Sequence, residues 1–187
     1  MADAPLDLDD NGWAVGAVVP FEPGAAFSVL APDAVSRIDE GRWAHQARTF
    51  LGAELSLAVR KRYPAATLPI VDAVDVDVVH VDRLGDEPPT RVRVVTLPLD
   101  RAPSARRHAR EGAAAIGGAG MDVLVEKGER LWQVGARVVE GADERAPLVV
   151  AALLASVFLG PIVPPEGGVV FGVKGARERL SRAGWRS

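Results

Sequence analysis

The alternation of hydrophobic and polar positions changes its period several times along the chain, and each change predicts a new element. From Asp33, a suitable N-cap, apolar residues recur at helical spacing as far as Val59. Gly41 interrupts this helical pattern and can divide it into two helices. The pattern stops at a basic cluster followed by a proline, which predicts a helix end: Arg60, Lys61, Arg62 and Pro64.

A two-residue period begins near residue 72. Valines alternate with Asp75 and Asp77 in VDAVDVDVVHVD, and a second apolar run, RVRVVTLPL, follows the turn sequence GDEPPT. Such a period is typical of strands with one buried face. The sequence therefore predicts an antiparallel β-hairpin over about residues 72–99, with Pro98 at the end of its second strand or at a sheet edge.

The second half of the chain alternates between helical and extended patterns. Pro103 and Ser104 begin a predicted helix, SARRHAREGAAAI, and MDVLVEKG predicts a further helical turn or a short strand. RLWQVGARVVEG and GGVVFGVKG predict strands, and ARERLSRAGW predicts a C-terminal amphipathic helix. This order favours an α+β fold with a mixed or mostly antiparallel sheet packed by three to four helices. We expect one domain over residues 33–187, after an arm or loop of residues 1–32 that can include a short strand near Trp13 to Val19.

The longest apolar run belongs to a predicted helix over about residues 144–159 that is apolar nearly all round. A membrane-spanning helix needs about 20 apolar residues, whereas Leu148 to Leu159 is shorter and ends at Gly160 and Pro161. We therefore expect a largely buried helix, covered by its own chain or partly by a partner. The residues expected at a partner interface are Leu148, Leu154, Phe158, Leu159 and Ile162.

Composition narrows the class of protein. The chain has 187 residues, 48% of them hydrophobic and 25% charged, which is typical of a globular domain. Its net charge of −3 argues against general nucleic-acid binding, and the basic run from Arg101 to Arg110 is interpreted as a solvated helix face. There is no cysteine, and the N-terminus lacks the features of a signal peptide, so we expect a cytoplasmic protein.

One candidate anion site lies where the last predicted strand meets the last helix. Helix N-termini carry unpaired N–H groups and a partial positive charge, and a glycine-rich turn with a basic side chain there can hold a phosphate or carboxylate. The spacing does not match the phosphate-binding G-x-x-x-x-G-K-[ST] loop. An ordinary tight turn with solvated basic side chains is the alternative. The residues of the candidate site are Gly172, Lys174, Gly175 and Arg177.

The carboxylates of Asp75 and Asp77 share one face of the predicted hairpin, about 6.6 to 6.8 Å apart by the strand rise. Paired carboxylates can hold Mg²⁺ beside a phosphate, so magnesium is an alternative here, although no cofactor or metal site is otherwise predicted. A solvent-facing row near Arg91 and Arg93 of the partner strand explains the same pattern. His108 and Glu111 share a helical face, but two ligands are too few for a zinc site.

Catalytic residue types are sparse, and the chain shows no cofactor signature. We therefore expect a non-enzymatic protein-binding or assembly module that associates with itself or with a protein partner. Neither nucleic acid nor membrane is expected as a partner. The alternative is an enzyme or ligand-binding domain for a phosphorylated or carboxylate small molecule, held at residues 172–177.

Overall fold

Six strands form one antiparallel sheet in the order β2-β3-β4-β5-β1-β6. The structure is a computed structural model, and it describes residues 6, 14, 18–22, 24–57 and 73–186. Each neighbouring pair of strands is antiparallel, which confirms the predicted α+β class with a mostly antiparallel sheet. The strands are β1 (Ala26–Ala31), β2 (Ala53–Leu57), β3 (Ala73–His80), β4 (Thr90–Pro98), β5 (Arg130–Gly135) and β6 (Ile162–Val163).

Helices cover both faces of the sheet, and the described residues form five of them rather than the three to four expected. The larger core lies between one face and α1, α4 and α5, and a smaller core lies between the other face and α2 and α3. We call the side of the larger core the first face and the opposite side the second face. The helices are α1 (Glu40–Leu51), α2 (Pro103–Ala115), α3 (Met121–Glu126), α4 (Ala146–Phe158) and α5 (Val173–Arg182).

The predicted hairpin and the predicted buried helix are both present. In β3 the valines Val74, Val76 and Val78 enter the larger core, while Asp75 and Asp77 point to the second face. The helix α4 has ten buried residues and packs across the middle of the sheet. A helix that is apolar all round has no face for water, and here its own sheet and neighbouring helices cover it.

The first predicted helix is shorter than its sequence pattern suggested. It begins after Asp39, whose side chain accepts a hydrogen bond from the Arg42 backbone, and it ends at Gly52 in a left-handed conformation. The positive φ of +60° at Gly52 turns the chain directly into β2, which pairs with β3. Leu55 therefore lies on a strand rather than on the predicted helix. Its position fits the two-residue period of a strand as well as the helical period. Predicted helical residues 58–62 lie outside the described residues.

The region that the sequence pattern assigned to an arm contributes an interior strand of the sheet. β1 lies between β5 and β6, with Ser28 opposite both Gln133 and Val163. The possible strand near Trp13 to Val19 falls mostly outside the described residues. The predicted last strand, GGVVFGVKG, contributes only a bridge from Phe171 to Ile162, and its last three residues already belong to α5.

None of the described helices combines the length and the apolar character needed to cross a membrane. Residues 185 and 186 contact the end of α1 and the end of β3. Trp185 donates its indole N–H to the Leu51 carbonyl at 2.6 Å, and the His80 ring lies edge-on to Trp185. His80 Nε2 lies 2.6 Å from the Arg186 carbonyl oxygen, while its Nδ1 accepts from the Asp82 N–H.

Candidate functional site

A cavity of about 640 Å³ opens on the second face of the sheet, where α2 and α3 leave part of that face uncovered. Its floor is formed by strand residues that are mostly small or apolar: Ala26, Ser28, Leu97, Leu131, Gln133 and Val163. The walls are α2, the loop at residues 163–168 and a segment of the chain before β1. Gly112 allows the loop to approach α2, because a Cβ at this position would lie 2.7 Å from the Gly168 carbonyl oxygen.

The segment before β1, residues 20–22, crosses the sheet as a strap. The Phe21 N–H donates to Gln133 Oε1 at 3.0 Å, and Gln133 Nε2 donates to the Phe21 carbonyl at 3.1 Å. The Gln133 amide thus pairs with a backbone donor and acceptor as a neighbouring strand would. Only 8% of Gln133 is exposed, so these bonds satisfy a buried amide that would otherwise be costly.

Phe21 forms a wall of the cavity on one side of the strap and of a second, open groove on the other. Its ring lies over Gly135, where a Cβ would be 2.8 Å from Phe21 Cζ. The open groove, of about 1240 Å³, is lined by charged hairpin residues and by residues 135–140. The Phe21 ring therefore lies between the cavity and the open groove and lines both.

The helix α2 presents a row of polar side chains to the cavity. Ser104, His108 and Glu111 follow the i, i+4, i+7 spacing of one helical face, and all three line the cavity. Arg101 joins them from the 3-10 turn before α2, and Glu166 from the opposing loop. Within the described part of the chain, these five side chains make no hydrogen bond or ion pair with one another or with other residues, so they are available to a ligand.

Two arginines of the basic run hold α3 against α2. The Arg106 guanidinium donates to the carbonyls of Val125, Glu126 and Gly128 at 3.3, 3.2 and 2.6 Å, which caps the C-terminal end of α3. Arg110 makes two bonds to the Glu126 carboxylate, at 2.6 and 2.7 Å. Hydrogen bonding to Glu126, and then the negative charge of Glu126, raise the pKa of Arg110. Hydrogen bonding from Arg110 lowers the pKa of Glu126. These two positive charges therefore serve helix packing.

The predicted anion site lies at the start of α5, away from the cavity. Gly172 is the N-cap of this helix, and Lys174 and Arg177 are exposed on its first turns. Gly175 has a packing role, because a Cβ there would lie 2.9 Å from Phe171 Cβ. The Arg179 guanidinium lies 3.9 Å from the centre of the Phe171 ring. None of the four predicted residues lines the cavity or the groove, and anion binding there stays a prediction.

The five residues predicted for a partner interface are separated by the fold. Leu154 and Ile162 have no exposed surface and belong to the core, and a partner interface at this helix stays a prediction. Leu148 and Phe158 are half-buried, and the Phe158 ring stacks on Trp132 with centroids 4.9 Å apart. Leu159 alone among the five is largely exposed, at 73%, and its backbone is left-handed with φ +56°.

The carboxylates considered for magnesium face arginines of the neighbouring strand. Arg93 Nε lies 3.1 Å from Asp75 Oδ1, and Arg91 makes two bonds to Asp77 at 2.8 and 3.0 Å. The hydrogen bond and then the charge of Asp77 raise the pKa of Arg91. Each carboxylate is thus paired with an arginine, and Asp75 is buried rather than solvent-facing, at 7% exposure. Magnesium binding here stays a prediction. In the ranges that the structure describes, no three His, Cys, Asp or Glu side chains group as metal ligands.

Two lining residues of the cavity, Phe21 and Gln133, were not predicted from the sequence. Phe21 and Gln133 are 112 positions apart, and no local pattern connects them. Gln133 nevertheless carried a signal, as the one uncharged polar residue of the buried strand RLWQVG. The row on α2 was also visible as a spacing, although only His108 and Glu111 were considered, and only as metal ligands.

No protein-family model, curated protein or solved structure matches this chain.

Proposed function

We propose that this chain is a binding domain for a small, largely apolar molecule held in the cavity beneath the strap. The observation that carries the proposal is the cavity itself. Its volume of about 640 Å³ lies within the range of about 300–1,000 Å³ typical of small-molecule sites. Its floor is mostly apolar, and a few polar side chains converge on it, which is the usual composition of such sites.

Two features support a ligand inside the cavity rather than an incidental gap. The polar side chains of Ser104, His108 and Glu111 face the space without a partner among the described residues. The wall formed by Phe21 is held in place by two hydrogen bonds from a buried side chain, so the cavity has a defined boundary. A preformed site of this kind binds without the cost of ordering its walls.

The experiment is a thermal-shift titration with octanol, a neutral apolar probe, on the full chain. A ligand that binds only the native state raises the melting temperature by mass action. We expect a shift for the wild type and a reduced one for Ala105→Leu, which fills part of the cavity from α2. The same change at Ala114, on that helix but outside the cavity, is the control. Equal shifts in the two variants would reject the site.

A second candidate, self-association, is favoured by Leu159. Its side chain is largely exposed and its backbone adopts a conformation that costs a non-glycine residue about 1–2 kcal/mol. We propose that a second copy of the chain covers this leucine at the end of α4. Sedimentation equilibrium is expected to give a dimer that Leu159→Asn dissociates, since asparagine tolerates the same backbone. A monomeric wild type at high concentration would refute self-association.

A further inference from the structure

We infer that the ligand of the cavity carries a positive charge, so that its class is an apolar molecule with a protonated amine. The inference rests on the proposed binding function and adds the sign of the ligand's charge to it. The cavity defines the site, and the charges around it select the ligand.

The charged residues that line the cavity are unequal in sign. Three carboxylates, Glu22, Glu111 and Glu166, face one guanidinium, that of Arg101, which gives the lining a formal charge of −2 with His108 uncharged. The carboxylates come from three separate elements: the strap, α2 and the loop at residues 163–168. Their convergence around one space is therefore a property of the fold rather than of a local acidic run.

Arg101 offsets only part of this charge. Arg101 lies in the 3-10 turn before α2, whereas Glu111 lies eight residues after Pro103, the first residue of α2, so the helix rise separates the start of α2 from Glu111 by about 12 Å. This separation exceeds the screening length of about 8 Å at physiological ionic strength. A cation near Glu111 therefore experiences a net negative potential from the carboxylates that line the cavity.

The same charges disfavour a carboxylate or phosphate ligand in this cavity, which is a different place from the anion site predicted at residues 172–177. An anion in this space would meet three carboxylates, none of which has a partner among the described residues. An octyl chain with an ammonium group satisfies both the apolar floor and the carboxylates at the rim. Contacts with the floor contribute most of the affinity, and the carboxylates at the rim favour a cationic ligand over an anionic one.

The test compares three probes of the same chain length and different charge: octylammonium, octanol and octanoate. Affinities are measured by titration calorimetry on the full chain at low and at physiological salt. We expect octylammonium to bind about tenfold more tightly than octanoate, with octanol between them, and the ratio to fall as salt rises. The double variant Glu111→Gln with Glu166→Gln should bring the ratio to about threefold or less, whereas Arg101→Gln should increase it.

Glu178→Gln on α5, outside the cavity, is the matched control and should leave the ratio unchanged. Equal affinities for the three probes, or tighter binding of octanoate, would overturn the inference while the binding function stands. Failure of all three probes to bind would overturn the binding function as well. Because each lining substitution replaces an exposed carboxylate or guanidinium by an amide, its fold is checked by the melting temperature without ligand.

Discussion

The Gln133 side-chain amide forms two hydrogen bonds, of 3.0 and 3.1 Å, with the backbone N–H and carbonyl of Phe21. Through these bonds a residue of β5 determines where the strap before β1 lies. The position of the strap in turn determines the boundary of the cavity, since Phe21 forms one of its walls. A single side chain therefore connects the sheet to the edge of the proposed binding site.

We expect Gln133→Leu to loosen the strap. The substitution keeps a side chain of similar size and removes both hydrogen bonds, which leaves the Phe21 backbone groups without these partners. The free energy of unfolding should fall by about 1–3 kcal/mol. Urea denaturation measures this loss, and hydrogen exchange should show faster exchange at the Phe21 amide. Unchanged exchange at that amide would show that the bonds do not hold the strap.

Gly135 and Phe21 should be energetically coupled. We expect Gly135→Ala to destabilise the wild type by about 1 kcal/mol, because the new Cβ would lie 2.8 Å from Cζ at the tip of the Phe21 ring, which must shift. In a Phe21→Ala background the ring is absent, and the same change should cost close to nothing. A double-mutant cycle by urea denaturation measures the difference. Additive effects would mean that the ring does not occupy this position in solution.

Substitutions at two neighbouring residues after α4, Leu159 and Gly160, should change the stability of the protein in opposite directions. Leu159→Gly is expected to stabilise the isolated chain by about 1 kcal/mol, because glycine adopts φ +56° without strain. Gly160→Ala should destabilise it by about 3 kcal/mol or more, because the Cβ would overlap the carbonyl oxygen of Leu30. Melting temperatures at low protein concentration test both. A destabilising Leu159→Gly would show that this leucine has a packing role in the monomer.

Stability should depend on Asp143 in acid. Burial opposes ionisation of this carboxyl, but hydrogen bonds from the side chain and backbone of Arg145 and the positive charges of Arg145 and Arg83 outweigh it and lower the pKa of Asp143. A carboxyl with a lowered folded pKa stabilises the fold above its unfolded value, near 3.8, and loses that contribution as the pH falls through the folded value.

Asp143→Asn removes this dependence. At neutral pH the variant should be less stable by about 2 kcal/mol, since the interaction with Arg145 loses its charge. Below about pH 4 the stability of the wild type should fall towards that of the variant. Denaturant unfolding between pH 2 and 7 checks the slope, with Asp86→Asn, at an exposed loop position, as the control. Parallel curves for wild type and Asp143→Asn would contradict the expectation.

The elements predicted correctly are those whose period is long and unambiguous. The alternation in β3 and the all-apolar α4 leave only one way to bury their side chains, so the pattern was sufficient. Residues 53–57 satisfied a helical and an extended period equally, and pairing with β3 decided between them. β1 was assigned to an arm because glycine and proline flank a strand of only six residues.

The candidate site was less accessible to the sequence, because it depends on convergence. The strap, α2 and the loop at residues 163–168 are far apart along the chain, and none carries a motif. The spacing of Ser104, His108 and Glu111 placed them on one face, but only the packing of α2 over the second face of the sheet shows that this face borders a cavity. Hydrophobic periodicity predicts which residues are buried, not where burial is incomplete.

The position of β1 has a consequence for synthesis on the ribosome. Ala26 pairs with Gly135 and Ser28 with Val163, so this early strand has both of its neighbours in the second half of the chain. At about 5–20 residues per second, translation takes roughly 5 to 20 s to proceed from Ala26 to Gly135. During that interval the edges of β1 lack their final partners, although the strand is enclosed on both sides once the sheet is complete. The nascent chain therefore exposes early a segment that the finished protein protects well.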